Sequence, residues 1–209
     1  MKQKRDKPFV WATWLTKLVT GEQQCEYAPW LKAHYKLDKA PSNFNSRQWN
    51  IDHTQLLRVR RDELESKGYK IKLEDQNSFK VYFPNGATLS GKADIVSLVF
   101  NPDGVIIDGI IDDCKTGKPK DSDQVQVMLY MLFLPTCIKE YAGVKFRGHV
   151  VYKDHNIPIE WAEIDSNFKE LIDNLVKRLV AKEPCRKVPS YNECRWCDVL
   201  KADCPERME

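Results

Sequence analysis

Between Tyr69 and Ile111 the hydrophobic pattern has a period of two, and this stretch limits the possible folds more than any other part of the chain. Tyr69, Ile71 and Leu73, then Phe79, Val81 and Phe83, then Ala87 and Leu89 alternate with polar residues, and Gln76-Asn77 and Asn85-Gly86 separate the runs. Strand side chains point alternately to two faces, so the spacing predicts half-buried strands joined by turns, an antiparallel β meander. Denser apolar runs over 93–100 and 105–111 flank Asn101-Pro102-Asp103-Gly104, a strong turn signal. They are expected to be central strands of the same sheet.

Helical spacing lies on either side of this region. Trp11, Trp14, Leu15 and Leu18, then Tyr27, Trp30, Leu31 and Tyr35, predict two short helices with a break at Gly21. Residues 38–50 are polar, contain Pro41 and are expected to form a mobile loop. Asp52 is the expected N-cap of a helix through Leu56, Leu57, Val59 and Leu64, closed by Gly68. A helix over 121–134, strands over 145–152 and 157–164 and a helix over 167–181 follow, then a cysteine-rich tail. The expectation is an α/β chain of 209 residues forming one domain, with a core over about 50–165 and additions at both ends.

Composition excludes some function classes. The longest apolar run, Val125 to Leu134, is broken by Gln126 and ends at Pro135, too short to span a bilayer. No secretion signal is recognised, so a cytoplasmic location and no membrane partner are expected. A net charge of +3 neither identifies nor excludes a nucleic-acid binder. The seven cysteines, an odd count, point away from a disulfide framework and toward metal. Cys194-x-x-Cys197 and Cys204 place three soft ligands close together in sequence. For a fourth, Cys185 would complete a local site suited to zinc, whereas Cys25 would make a long-range clasp between the two ends.

The acidic residues carry the second signal. Asp94 ends one expected strand, and Asp113-Cys114-Lys115 ends the next. If the Asn101–Gly104 turn makes a hairpin, both carboxylates lie at one end of the sheet. Two converging carboxylates and a lysine suit metal-assisted phosphodiester hydrolysis, with hard oxygens for Mg²⁺ or Mn²⁺ and an ammonium to orient water or offset developing charge. Gln126 and Tyr130, four apart, share one face of the following helix. Gly86 to Ala93 nearly spells a phosphate-binding loop, but Ala93 stands where a Ser or Thr is needed and a strand follows. Arg58, Arg60 and Arg61, with Lys115, Lys118 and Lys120, form a candidate phosphate track. Trp30, Trp49 and Trp196 are candidates to stack on bases or to cover the clasp.

Taken in order, Gly91-x-x-Asp94, Asp113-x-Lys115-Thr116-Gly117 and Gln126-x-x-x-Tyr130 resemble the PD-(D/E)xK nucleases, specifically their RecB-type branch. The resemblance implies a restriction-endonuclease-like mixed central sheet flanked by helices. It implies that Asp94, Asp113 and the backbone carbonyl of Cys114 hold Mn²⁺ or Mg²⁺, that Lys115 is catalytic, and that Gln126 and Tyr130 support the site or the bound strand. His53 matches an upstream histidine ligand of many such enzymes, which would favour Mn²⁺. Glu74 lies near the expected site and is assigned no role.

One subset, including the CRISPR-associated adaptation exonucleases and the nuclease domain of the bacterial AddB protein, has one cysteine before the core and three after it, holding a [4Fe-4S] cluster. The resemblance therefore implies a cluster on Cys25, Cys194, Cys197 and Cys204, with cluster-binding ends over about 9–35 and 183–205. The implied activity is exonucleolytic hydrolysis of DNA with single-stranded or frayed ends, in CRISPR adaptation or in recombination and repair, alongside adaptation or helicase proteins. Structural Zn²⁺ on a local Cys185 site remains the alternative cofactor. A non-catalytic nucleic-acid-binding subunit and a zinc-tail interaction protein remain the alternative functions.

Overall fold

A computed structural model describes residues 2–38, 40–41 and 44–208; Lys39, Ser42 and Asn43, within the expected mobile loop, lie outside the described residues. In chain order the elements are β1 (Gln3–Lys4), β2 (Phe9–Trp11), α1 (Thr13–Val19), α2 (Tyr27–His34), β3 (Tyr35–Lys36), α3 (Ser46–Ser66), β4 (Lys70–Leu73) and β5 (Ser78–Tyr82). They continue with β6 (Thr88–Lys92), β7 (Ile95–Phe100), β8 (Ile106–Cys114), α4 (Asp121–Cys137), β9 (Arg147–Val151), β10 (Asn156–Ile159), α5 (Ser166–Val180) and α6 (Tyr191–Arg195). This is a mixed α/β architecture, and among the described residues no helix is long and apolar enough to cross a membrane. The chain divides into two compact units, Asn45–Val81 with Gly91–Phe168, and Met1–Phe44 with Tyr82–Ser90 and Lys169–Glu209.

The first unit is built on a five-stranded sheet of order β10-β9-β8-β7-β4. The hairpin β7–β8 forms as the turn signal predicts: Asn101 Oδ1 accepts from Val105 N, and Gly104 takes φ +80, which favours glycine. β8 and β9 are parallel, so the chain between them must cross over, and α4 is that crossover. Parity then sorts the side chains of β8. Ile110 and Cys114 join Leu57 and Leu64 of α3 in one core cluster with Ile95 and Val151. On the other face α4 packs so closely that a Cβ at Gly148 would meet Val127 Cγ1 at 2.4 Å and Met131 Sδ at 2.6 Å.

The meander expectation is corrected: β4 pairs with β7, from Lys70↔Leu98 to Leu73↔Ile95, and residues 78–92 do not join this sheet. The cause is the one-turn helix Glu74–Asn77, entered through a positive φ of 33° at Glu74. Asn77 is fully buried, and its Nδ2 donates to Lys72 O at 2.8 Å, tying the diverted chain to the end of β4. A second correction concerns α3. It begins at Ser46, with Asn45 Oδ1 accepting from Gln48 N at 3.1 Å, so Asp52 is no cap and His53 lies well inside the helix. Residues 160–164 turn through a short helix rather than continuing β10.

In the second unit, residues 9–11 form a strand rather than the start of a helix, paired in parallel with β6 from Phe9↔Thr88 to Trp11↔Ser90. Trp30 is buried, with Nε1 donating to Ala181 O at 2.9 Å and its ring stacked on Tyr27. The segment before α2 is held to the tail: Glu193 of α6 accepts from Gln24 N and Cys25 N, and Arg186 O accepts from Glu26 N and Tyr27 N.

Candidate functional site

The β7–β8 register sets Ile95 opposite Asp112, which brings Asp94 and Asp113 to the same end of the sheet. Cys114 N donates to Asp94 Oδ2 at 2.8 Å, and His53 Nε2 of α3 lies 3.2 Å from the same oxygen. Asp113 is 2% exposed; its Oδ1 accepts from Gln126 Nε2 at 2.9 Å, and its Oδ2 lies 2.7 Å from Lys115 Nζ as an ion pair. Lys115 Nζ also donates to Gln126 Oε1 at 2.9 Å. Because an ammonium only donates, that bond orients the amide, leaving Nε2 for Asp113 and for Tyr130 OH at 2.8 Å.

These groups open on a cleft of about 490 Å³ that Glu74, Lys92, Lys118 and Lys120 also line. Trp49 lies against His53, with ring centroids 4.8 Å apart. The bond to Asp94 raises the His53 pKa, outweighing burial. Burial pushes Asp113 up despite the nearby Lys115, and Asp94 adds to the rise. Burial pulls Lys115 down, but the charge of Asp113 wins and its ammonium is retained. Asp94 and Asp113, at one end of the sheet, offer hard carboxylate oxygens, with the His53 ring 3.2 Å from Asp94 Oδ2. The donors present therefore fit Mg²⁺ or Mn²⁺.

Tyr130 is expected from sequence to support the site or the strand, and the structure places it behind Gln126: it is 2% exposed and outside the cleft lining. Gly91 makes room for it, since a Cβ there would meet Phe79 Cζ at 2.5 Å and Tyr130 Cε1 at 3.0 Å. Tyr130→Phe removes one acceptor from Gln126 Nε2 while its bond to Asp113 stays. It is expected to lower stability by about 1 kcal/mol, the worth of one neutral hydrogen bond, read as the shift in a urea unfolding curve. Cys114 turns its thiol into the core, where burial raises its pKa, so only its backbone faces the site.

Arg60 does not belong to a phosphate track. It is 5% exposed, with Nε donating to Asp112 Oδ2 at 2.6 Å and Nη1 to Glu63 Oε2 at 2.8 Å. Asp112, fully buried, also meets His149 Nδ1 at 2.8 Å. Sequence reasoning missed this cluster, yet strand parity held the signal: neighbours in β8 face opposite sides, so Asp112 meets α3 and Asp113 meets α4. Arg61 pairs with Asp62, and Arg58 is exposed.

The cysteines converge elsewhere. Cys25, Cys194, Cys197 and Cys204 line one cavity of about 340 Å³. Burial raises the Cys204 pKa, Lys187 opposes this, and nearby Cys25 and Cys194 add to the rise. Cys185 is not in that lining, and its Sγ donates to Arg178 O at 3.2 Å. Among the described residues no group of three or more His, Cys, Asp or Glu is placed to hold a metal ion. Trp196 is 79% exposed, with Arg195 over its ring.

The sequence matches no protein-family model and no curated protein. The solved structure of SSO0001 aligns with 98% of this chain and 90% of its own, at 15% identity and a TM-score of 0.49.

Proposed function

We propose that this chain is a metal-dependent deoxyribonuclease of the RecB-type PD-(D/E)xK kind, cleaving single-stranded or frayed DNA ends exonucleolytically. The observation that carries the reading is the closed network Asp113–Lys115–Gln126, set beside the Asp94–His53 pair in one open cleft. When bound, Mg²⁺ or Mn²⁺ would supply Lewis acidity toward the phosphoryl oxygen and make water a better nucleophile at neutral pH. Asp94 and Asp113, with His53 and the Cys114 backbone, are the residues that would hold it. Lys115, kept charged by Asp113, orients the attacking water and offsets charge growing on the phosphate. Gln126 fixes Lys115 and Asp113 relative to each other, and Tyr130 fixes Gln126.

In the second unit the same proposal assigns a [4Fe-4S] cluster to Cys25, Cys194, Cys197 and Cys204. All four cysteines line one cavity of about 340 Å³, which supports this. The bonds from Gln24 N and Cys25 N to Glu193 bring Cys25 to the helix that carries Cys194. Anaerobically purified protein is expected to absorb near the visible band of an iron–sulfur cluster and, with Mn²⁺ added, to shorten end-labelled single-stranded DNA. Cys25→Ser is expected to lose the band and Cys185→Ser to keep it. One equivalent of zinc, lost with Cys185→Ser alone, would overturn the assignment in favour of the zinc-tail reading. Visible spectra and metal analysis of the two variants decide between them. Binding of DNA without cleavage would identify the non-catalytic subunit instead.

A further inference from the structure

Beside the cleft lies a second pocket of about 440 Å³ that shares Lys115, Thr116, Gly117 and Lys118 with it as a common wall. At Gly117 the wall carries no side chain and borders open space, since an added Cβ would meet no atom within 4 Å. On the far side, Tyr152 N donates to His155 O at 2.9 Å and closes the turn between β9 and β10. Within that turn the His155 ring stacks on Tyr152, with centroids 4.9 Å apart and planes 19° apart.

Both rings are fixed. Tyr152 is buried, and its OH donates to Asp123 Oδ2 at 2.8 Å; Asp123 lines the catalytic cleft. His155 Nδ1 lies 2.8 Å from Asp154 Oδ1, and 45% of the His155 side chain is exposed. A held, half-exposed aromatic ring suits base stacking, which tolerates any sequence because every base has a π face. Lys118 and Lys153 border the same pocket, as phosphate contacts should, and the neighbouring Asp154 carboxylate is engaged by His155.

We infer that a single DNA strand leaving the cleft crosses the Thr116–Gly117 wall and stacks a base on His155, with Lys118 and Lys153 at its phosphates. The inference deepens the nuclease reading and rests on it. It makes the Tyr152–His155 pair the feature that selects unpaired DNA, because a base inside a duplex has both faces stacked on its neighbours.

Binding of labelled oligothymidylate to the full chain in Ca²⁺, followed by fluorescence anisotropy, tests it beside Mn²⁺-dependent hydrolysis of bis(p-nitrophenyl) phosphate, too small to reach the ring. His155→Ala is expected to weaken oligothymidylate binding by about ten-fold, and His155→Phe to restore it. Lys153→Ala should lower the slope of log affinity against log salt by about 0.7. All three variants should hydrolyse the small diester like the wild type. Unchanged binding by His155→Ala, a Phe variant as weak as Ala, or an equal loss on blunt duplex would each overturn the inference. A wild type that binds oligothymidylate through His155 but hydrolyses no diester would sink the nuclease reading and leave the stacking platform standing.

Discussion

Asp113→Asn and Lys115→Ala are each expected, on the proposed nuclease function, to cut Mn²⁺-dependent DNA cleavage by about 10³-fold or more while leaving the absorbance of the proposed cluster intact. The magnitude follows from the burial of the pair: a preorganised donor aimed at developing charge in such a site is worth about 10²–10³ in kcat, and here it also fixes a carboxylate. With Lys115 gone, Asp113 keeps only the Gln126 amide as a hydrogen-bond partner, so both charge balance and position fail. The two variants should differ in stability. Each variant leaves one charge of the ion pair uncompensated, so both should melt lower than the wild type in chelator, Lys115→Ala the more so because the Asp113 side chain is the more deeply buried. Single-turnover cleavage and thermal melts in parallel check both halves. Cleavage at wild-type rate by either variant would remove this site from the mechanism.

Arg60→Ala is expected to destabilise its unit by about 3–5 kcal/mol, read as the shift in a urea unfolding curve. Asp112 is fully buried between Arg60 and His149, and truncating the arginine leaves a carboxylate charge in the interior with His149 as its remaining partner. The loss should come from an uncompensated charge rather than from an attraction of that size. The double variant Arg60→Met with Asp112→Leu is therefore expected to recover most of it, since a buried pair replaced by apolar groups of similar volume is often neutral. An unrecovered double variant would mean that shape, not charge, governs this corner of the core.

The residues at the centre of the site were legible because they follow from local rules. The Asn101–Gly104 turn dictated a hairpin, and a hairpin of those lengths had to bring Asp94 beside Asp113. A four-residue helical step likewise put Gln126 and Tyr130 on one face, where they share a hydrogen bond. What the pattern could not give were choices made by distant partners. The period-two runs 69–73 and 79–83 look alike, yet the buried Asn77 side chain turns the chain out of the sheet between them. Asn45 caps α3 from within a polar stretch whose composition resembles any loop. Arg60 carries the same charge as its exposed neighbours, and only the packing of α3 on β8 separates it from them.

Adjacent aspartates on β8 serve opposite faces, one closing a structural ion cluster and the other the proposed catalytic one. A shift of the strand by a single residue would send Ile111 toward Arg60 and Asp112 toward Gln126, so that Arg60 loses its carboxylate partner. The strand thus proofreads its own alignment. A chain threaded in that register buries Arg60 without its counter-charge, so this misaligned form of the unit has little room to exist.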